Sequence, residues 1–222
     1  DIQRSYTFLK KLEKNNNKDW FDANRGEYNQ LKEQLKALAF ELMDGISDFD
    51  SSIKSPSDIK IFRINRDIRF SKNKQPYKSN FGITIAPSRN MQYNPGYHIN
   101  ISPYDTFVAA GWYGPDKTLA PKIRTLISNE YAEFLKILKD TKLRKAFPDG
   151  LADLGDSLKT PPRGFDKEDP ALEFLKMKHW ILSTRELDFE SSTSLSKDIL
   201  KTLKTAQKLN DFLRKAHDIS VG

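Results

Sequence analysis

The stretch Gly82-Ile83-Thr84-Ile85-Ala86, followed by Tyr97-His98-Ile99-Asn100-Ile101 and Thr106-Phe107-Val108-Ala109-Ala110, decides the fold. Each is a short run of β-branched, aromatic and small apolar residues, partly alternating with polar ones, and clusters of Pro, Asn and Gly separate the runs. Such runs read as strands, and connections this short suit antiparallel neighbours. Upstream, Ile59-Lys60-Ile61-Phe62-Arg63-Ile64 adds another strand, and far downstream His179-Trp180-Ile181-Leu182-Ser183-Thr184 is a further candidate. An antiparallel meander is the simplest arrangement.

Outside these runs the period becomes helical. Phe21, Tyr28, Leu31, Leu35, Leu38 and Leu42 predict a helix over 19–44, closed by Gly45. Before it, Ser5 is placed to cap a short helix through Phe8, Leu9 and Leu12, which ends at the turn signal Asn15-Asn16-Asn17. Residues 48–58, rich in Ser and holding Pro56, read as a surface loop. From Pro121 helical spacing returns through Ile123, Leu126, Ile127, Phe134 and Leu138, until Pro148 and Gly150 break it. A short helix through Leu172 and Leu175 and a terminal one from Leu195 to Leu213 complete the pattern. There is no internal repeat and no linker composition. The expectation is one α+β domain over 1–222, with a helical N-terminal part about 5–45, a strand-rich middle about 59–112 and a helical C-terminal part about 117–216. Its sheet is mostly antiparallel, with helices from both chain ends packed on it.

At 222 residues such a chain buries a full core without a metal or disulfide, in keeping with the absence of Cys. No apolar run approaches the length of a membrane helix. Lys plus Arg is 37 against 30 Asp plus Glu, a net charge of +7. Almost all of that excess lies between Lys60 and Lys78, where Lys60, Arg63, Arg66, Arg69, Lys72, Lys74 and Lys78 face a single acid, Asp67. Cations concentrated in this way point to an anionic partner, and Arg brings a planar fork suited to carboxylate or phosphate.

If 62–70 is extended, Phe62, Ile64, Ile68 and Phe70 point one way and Arg63, Asn65, Asp67 and Arg69 the other, leaving Arg66 on the apolar side. There a guanidinium must be paired or line a pocket, because burying it alone is costly. A bulge or turn near Asn65, which would bring all three arginines outward, is the alternative. Asp67, among cations, is an ion-pair partner rather than a general acid. Tyr77 either stacks on a ligand or anchors the loop to the core. His98 shares a strand face with Asn100 and is the best acid–base candidate of the three His.

Several chemistries have no signature. His98, His179 and His217 are far apart, and no His-x-His or His-Glu-x-x-His occurs, so a zinc site has little support. There is no phosphate-binding Gly-rich loop, dinucleotide fingerprint or Gly-x-Ser-x-Gly elbow, and no cofactor is expected. Scattered carboxylates leave magnesium open, with no spacing that points to it.

Asn16-Asn17, Trp20-Phe21, Arg25 and Tyr28, then Phe62 through Lys72 with Lys74, Pro76, Tyr77 and Lys78, and later Pro162-Arg163-Gly164-Phe165-Asp166 before Pro170, together resemble the bacterial and fungal family called domain of unknown function 2461. Asn73 stands where that family is expected to carry an acid, and Asp169 where it is expected to carry His. The resemblance implies a cytoplasmic protein. It brings no activity, substrate or catalytic residue, so function is read from the residues themselves.

Those residues support a binding module whose anion site is Arg63, Arg66, Arg69, Lys72, Lys74, Tyr77 and Lys78, for a phosphate-bearing small molecule or nucleic acid. An enzyme acting on an anionic substrate, with His98 or Asp67 moving the proton, is the alternative. A third reading makes the arginines an internal ion-pair network with Asp67.

Overall fold

The computed structural model describes residues 2–192 and 194–220. At its centre is a five-stranded antiparallel meander in the order β1 (Ile59–Ile61), β2 (Phe81–Ile85), β3 (Gly96–Ile101), β4 (Phe107–Trp112) and β5 (Trp180–Thr184). The strands lie where alternation and turn chemistry put them, with one exception. β1 stops at Ile61, and only the bond from Phe62 N to Gly82 O, 2.9 Å, carries its pairing further.

Pairing fixes which side chains share a face. Thr84 lies opposite His98, His98 opposite Ala109, and Ala109 opposite Ser183. Phe81, Ile83, Ile85, Tyr97, Ile99, Ile101 and Val108 point the other way and are buried. The helices cover that apolar face. Phe8 of α1 (Ile2–Lys14) stacks on Phe81, the Tyr6 hydroxyl bonds the Thr106 hydroxyl at 2.7 Å, and Phe49, just beyond α3 (Arg25–Ser47), meets Tyr97 edge-on. Helices α8 (Leu195–Thr205) and α9 (Gln207–Arg214) bring Ile199, Leu203, Leu209, Phe212 and Leu213 into the same core.

Four helical expectations change, one being that the terminal helix expected from Leu195 to Leu213 is two, α8 and α9, which divide at Ala206. Ser5 is not a cap, because α1 begins at Ile2 and Ser5 is buried inside it. The helix predicted over 19–44 is two, α2 (Lys18–Ala23) and α3: Asn24 leaves helical geometry, and its side-chain amide donates to the Trp20 carbonyl at 2.8 Å. This is the local competition by which Asn breaks helices. Gly45 does not close α3 but lies inside it, where an added Cβ would come within 2.3 Å of Leu200, so its role is the close approach of α3 and α8.

Between β4 and β5 the chain forms α4 (Leu119–Asn129), α5 (Tyr131–Leu138), α6 (Thr141–Ala146) and the single turn α7 (Leu172–Leu175), yet β5 still lands beside β4. The Arg124 guanidinium of α4 holds α7 by donating to the carbonyls of Leu175 and Met177 at 2.7 and 3.1 Å. Among the described residues no helix is long and apolar enough to cross a membrane.

Candidate anion-binding site

The basic segment folds back on itself as a loop. Arg66 N donates to Pro76 O and Lys78 N to Ile64 O, both at 2.8 Å, and Asn65 and Tyr77 form a bridge pair. Phe62 to Phe70 is therefore not one extended strand. Ile64 is buried, but Phe70, expected on the same apolar face, is 95% exposed. A loop that pairs at 64–66 and turns cannot keep the strict alternation of a strand.

The loop is seated by residues remote in sequence. The Asn16 side chain donates to Tyr77 O and accepts from Tyr77 N, each at 3.0 Å, substituting for a strand partner. The Tyr77 ring is buried and stacked on Phe21, centroids 4.2 Å apart, and Tyr28 packs on Phe21 at 5.0 Å. Tyr77 thus anchors the loop to the core, and its buried ring is not available to a ligand. Next to Asn16, Asn17 caps α2 by accepting from Trp20 N at 3.0 Å. The turn signal Asn15-Asn16-Asn17 marked this place but not its second task of holding the basic loop.

The cations separate into three sets. Arg69 pairs with Asp67 through bonds of 2.9 and 2.7 Å, which hold the Asp67 carboxyl below the usual carboxylate range, and both side chains are exposed. Arg66 spans the loop at 3.4 Å from both Gln75 O and Ser71 Oγ, and Lys74 reaches Ile68 O at 3.2 Å. Lys72 is exposed. Lys60 and Lys78, around Phe62, form the third set with Arg63, whose charge acts on Lys78. The ammonium groups of Lys60 and Lys78 lie 4.9 and 5.5 Å from its ring centroid, and Lys78 Nζ donates to Arg63 O at 2.9 Å. Lys78 is held below the usual lysine range, first by partial burial and then by the charges of Arg63 and Lys60. Among the described residues none of these three has a carboxylate within ion-pair distance, although the Arg63 charge acts on Asp67.

Arg66 meets neither of the fates open to it on an apolar strand face, a buried acid or a pocket wall, because the chain turns before that face continues. The Arg–Asp network shrinks to the single pair Asp67–Arg69.

His98 lies beside the third set. Its ring is 5.9 Å from Phe62 on one side and 5.9 Å from Phe107 on the other, and Nδ1 shares a 2.9 Å hydrogen bond with the Thr84 hydroxyl. Burial lowers its pKa to about 4, so the imidazole is neutral at pH 7. Asp67, exposed and paired, and His98, in the sheet, are held by separate partners.

The Pro162-Arg163-Gly164-Phe165-Asp166 motif lies elsewhere, along a groove of about 920 Å³ against Thr118, Lys122, Thr125 and Ser128 of the α4 region. There Asp169 accepts from Ser128 Oγ at 2.5 Å and from Ala171 N at 2.8 Å. Its carboxylate braces α4 against the turn before α7. Among the described residues no group of three or more His, Asp or Glu is placed to hold a metal ion.

The family model described as conserved hypothetical protein (DUF2461) matches residues 4–212. The chain belongs to this family. The match takes in the Asn16 clamp and the basic loop, which meet here, and the Arg163 motif, which lies elsewhere. No curated protein and no solved structure matches the chain.

Proposed function

We propose that this DUF2461 chain is a binding module for an anionic, phosphate-bearing ligand, seated on Lys60, Arg63 and Lys78 around Phe62. One observation carries the reading: among the described residues three cations act on one another with no carboxylate in ion-pair contact, and the ammonium of Lys78 is destabilised first by partial burial and then by the charges of Arg63 and Lys60. Mutual repulsion of this kind is relieved by an anion, which stabilises the ammonium of Lys78 as it binds. Lys72 extends the basic rim, whereas Arg66, Arg69 and Lys74 are engaged within the loop.

The test is calorimetric titration of the chain with inorganic tripolyphosphate. Binding is expected at low salt, and Lys78→Gln should weaken it roughly 10- to 100-fold, the equivalent of about 1.5–3 kcal/mol for one charge-assisted hydrogen bond. Equal affinity in Lys78→Gln and Lys60→Gln and in the unaltered chain would remove the site.

A further inference from the structure

We propose that the sheet face bearing this site is a stacking surface for single-stranded nucleic acid, its bases over Phe62, His98 and Phe107 and its phosphates on Lys60, Arg63 and Lys78. The inference rests on the anion-site reading above and names the ligand class. Three rings cross three neighbouring stretches of the sheet in a row, with successive centroids 5.9 Å apart. All three are partly exposed, although the opposite face of the same strands is fully packed.

The floor beneath the row is made of small side chains. Gly82 faces His98 and Phe62 so closely that a Cβ there would lie 3.1 Å from the Phe62 ring and 3.4 Å from the His98 ring, and Ala109 is the register partner of His98. The Phe62 and His98 rings therefore sit directly over Gly82, edge to face at 81°, and the His98 and Phe107 rings are tilted by 46°.

Charge is arranged to match. Among the described residues the cations without an ion-pair partner stand at the Phe62 end, whereas at the other end Arg185, 5.4 Å from the Phe107 ring centroid, is already paired with Asp105 at 2.6 Å. Aromatic side chains on a sheet face, flanked by cations, suit unpaired bases, because every base has a π face to stack and a duplex offers none. The contact of exposed Lys60 with Phe62 is of the weak, solvent-exposed kind that a base can replace while the ammonium moves to a phosphate.

The test compares a labelled oligothymidylate of about ten nucleotides, within the usual site size for such surfaces, with an abasic strand carrying the same phosphates. The thymidylate should bind about tenfold or more tighter, as expected when at least one base stacks. Its affinity should fall with salt at a log–log slope of about −2, the value for three phosphates neutralised on a single strand. Phe107→Leu, checked for folding by circular dichroism, should narrow the gap between thymidylate and abasic strands. Equal affinity for the two strands in the unaltered chain overturns the stacking proposal, as does tighter binding of duplex than of single strand, and in both cases tripolyphosphate binding still upholds the anion site. Failure of tripolyphosphate and of both strands to bind overturns the two readings together. If Phe107→Leu does not fold, the comparison of strands on the unaltered chain decides.

Discussion

His98 illustrates how one side chain acquires its properties from its neighbours. On sequence it is a histidine on the polar side of a strand, the natural acid–base candidate. In the sheet it is enclosed between Phe62 and Phe107 and bonded to Thr84, and burial brings its pKa to about 4. The folded chain thus resists a proton that the unfolded chain accepts at about pH 6.5. The contribution of neutral His98 to stability is complete above that pH and is lost as pH falls from about 6.5 to about 4, amounting to about 1–3 kcal/mol for a ring that keeps some contact with water. Urea unfolding at pH 7 and pH 4.5 measures it, and His98→Gln, which can still bond Thr84, should flatten the difference. An unchanged pH dependence in that variant would place the titration elsewhere.

At the level of elements, the basic loop is held by partners that its own sequence does not contain. Lys60, Arg63 and Lys78 sit together because Ile64 and Tyr77 are buried, and Tyr77 is fixed from outside by Asn16 and Phe21. Asn16→Ala removes a donor and an acceptor and leaves the part-buried backbone groups of Tyr77 without their partner. The expected loss is about 1–3 kcal/mol, with greater protease cleavage within 66–76, and tripolyphosphate affinity should drop although no cation has changed. The charge excess of this loop was legible in the sequence. Its division into the Asp67–Arg69 pair, the loop-spanning Arg66 and the unpaired set was not, because that division depends on where the backbone turns, and the turn is set by the docking of Tyr77.

For the molecule as a whole, a buried polar knot joins the two chain ends. Asp50, just after α3, accepts from the Tyr97 hydroxyl at 2.7 Å and from Arg214 at the end of α9, and its other oxygen takes the hydroxyl of Ser52 at 2.7 Å. Burial raises the Asp50 pKa, but the Ser52 bond, the Arg214 charge and the Tyr97 bond together outweigh it and hold the carboxyl below its usual range. Asp50→Ala removes the acceptor of the Tyr97 hydroxyl and one of two carboxylates on Arg214, which keeps Asp211 at 2.6 Å, and should cost about 1–3 kcal/mol in chemical denaturation. A loss under about 0.5 kcal/mol would show that the knot adds nothing to packing. By itself the sequence determined the α+β class, the antiparallel meander and the place of the charge, because alternation, helical spacing and turn residues act over a few neighbours. Only the tertiary structure decided that Gly45 is a contact rather than a stop, that Tyr77 is an anchor, and that Lys60, Lys78, Phe62, His98 and Phe107 share one face. Those outcomes depend on strand register and on contacts between residues tens of positions apart, such as Asn16 with Tyr77 and Asp50 with Arg214, which local patterning does not encode.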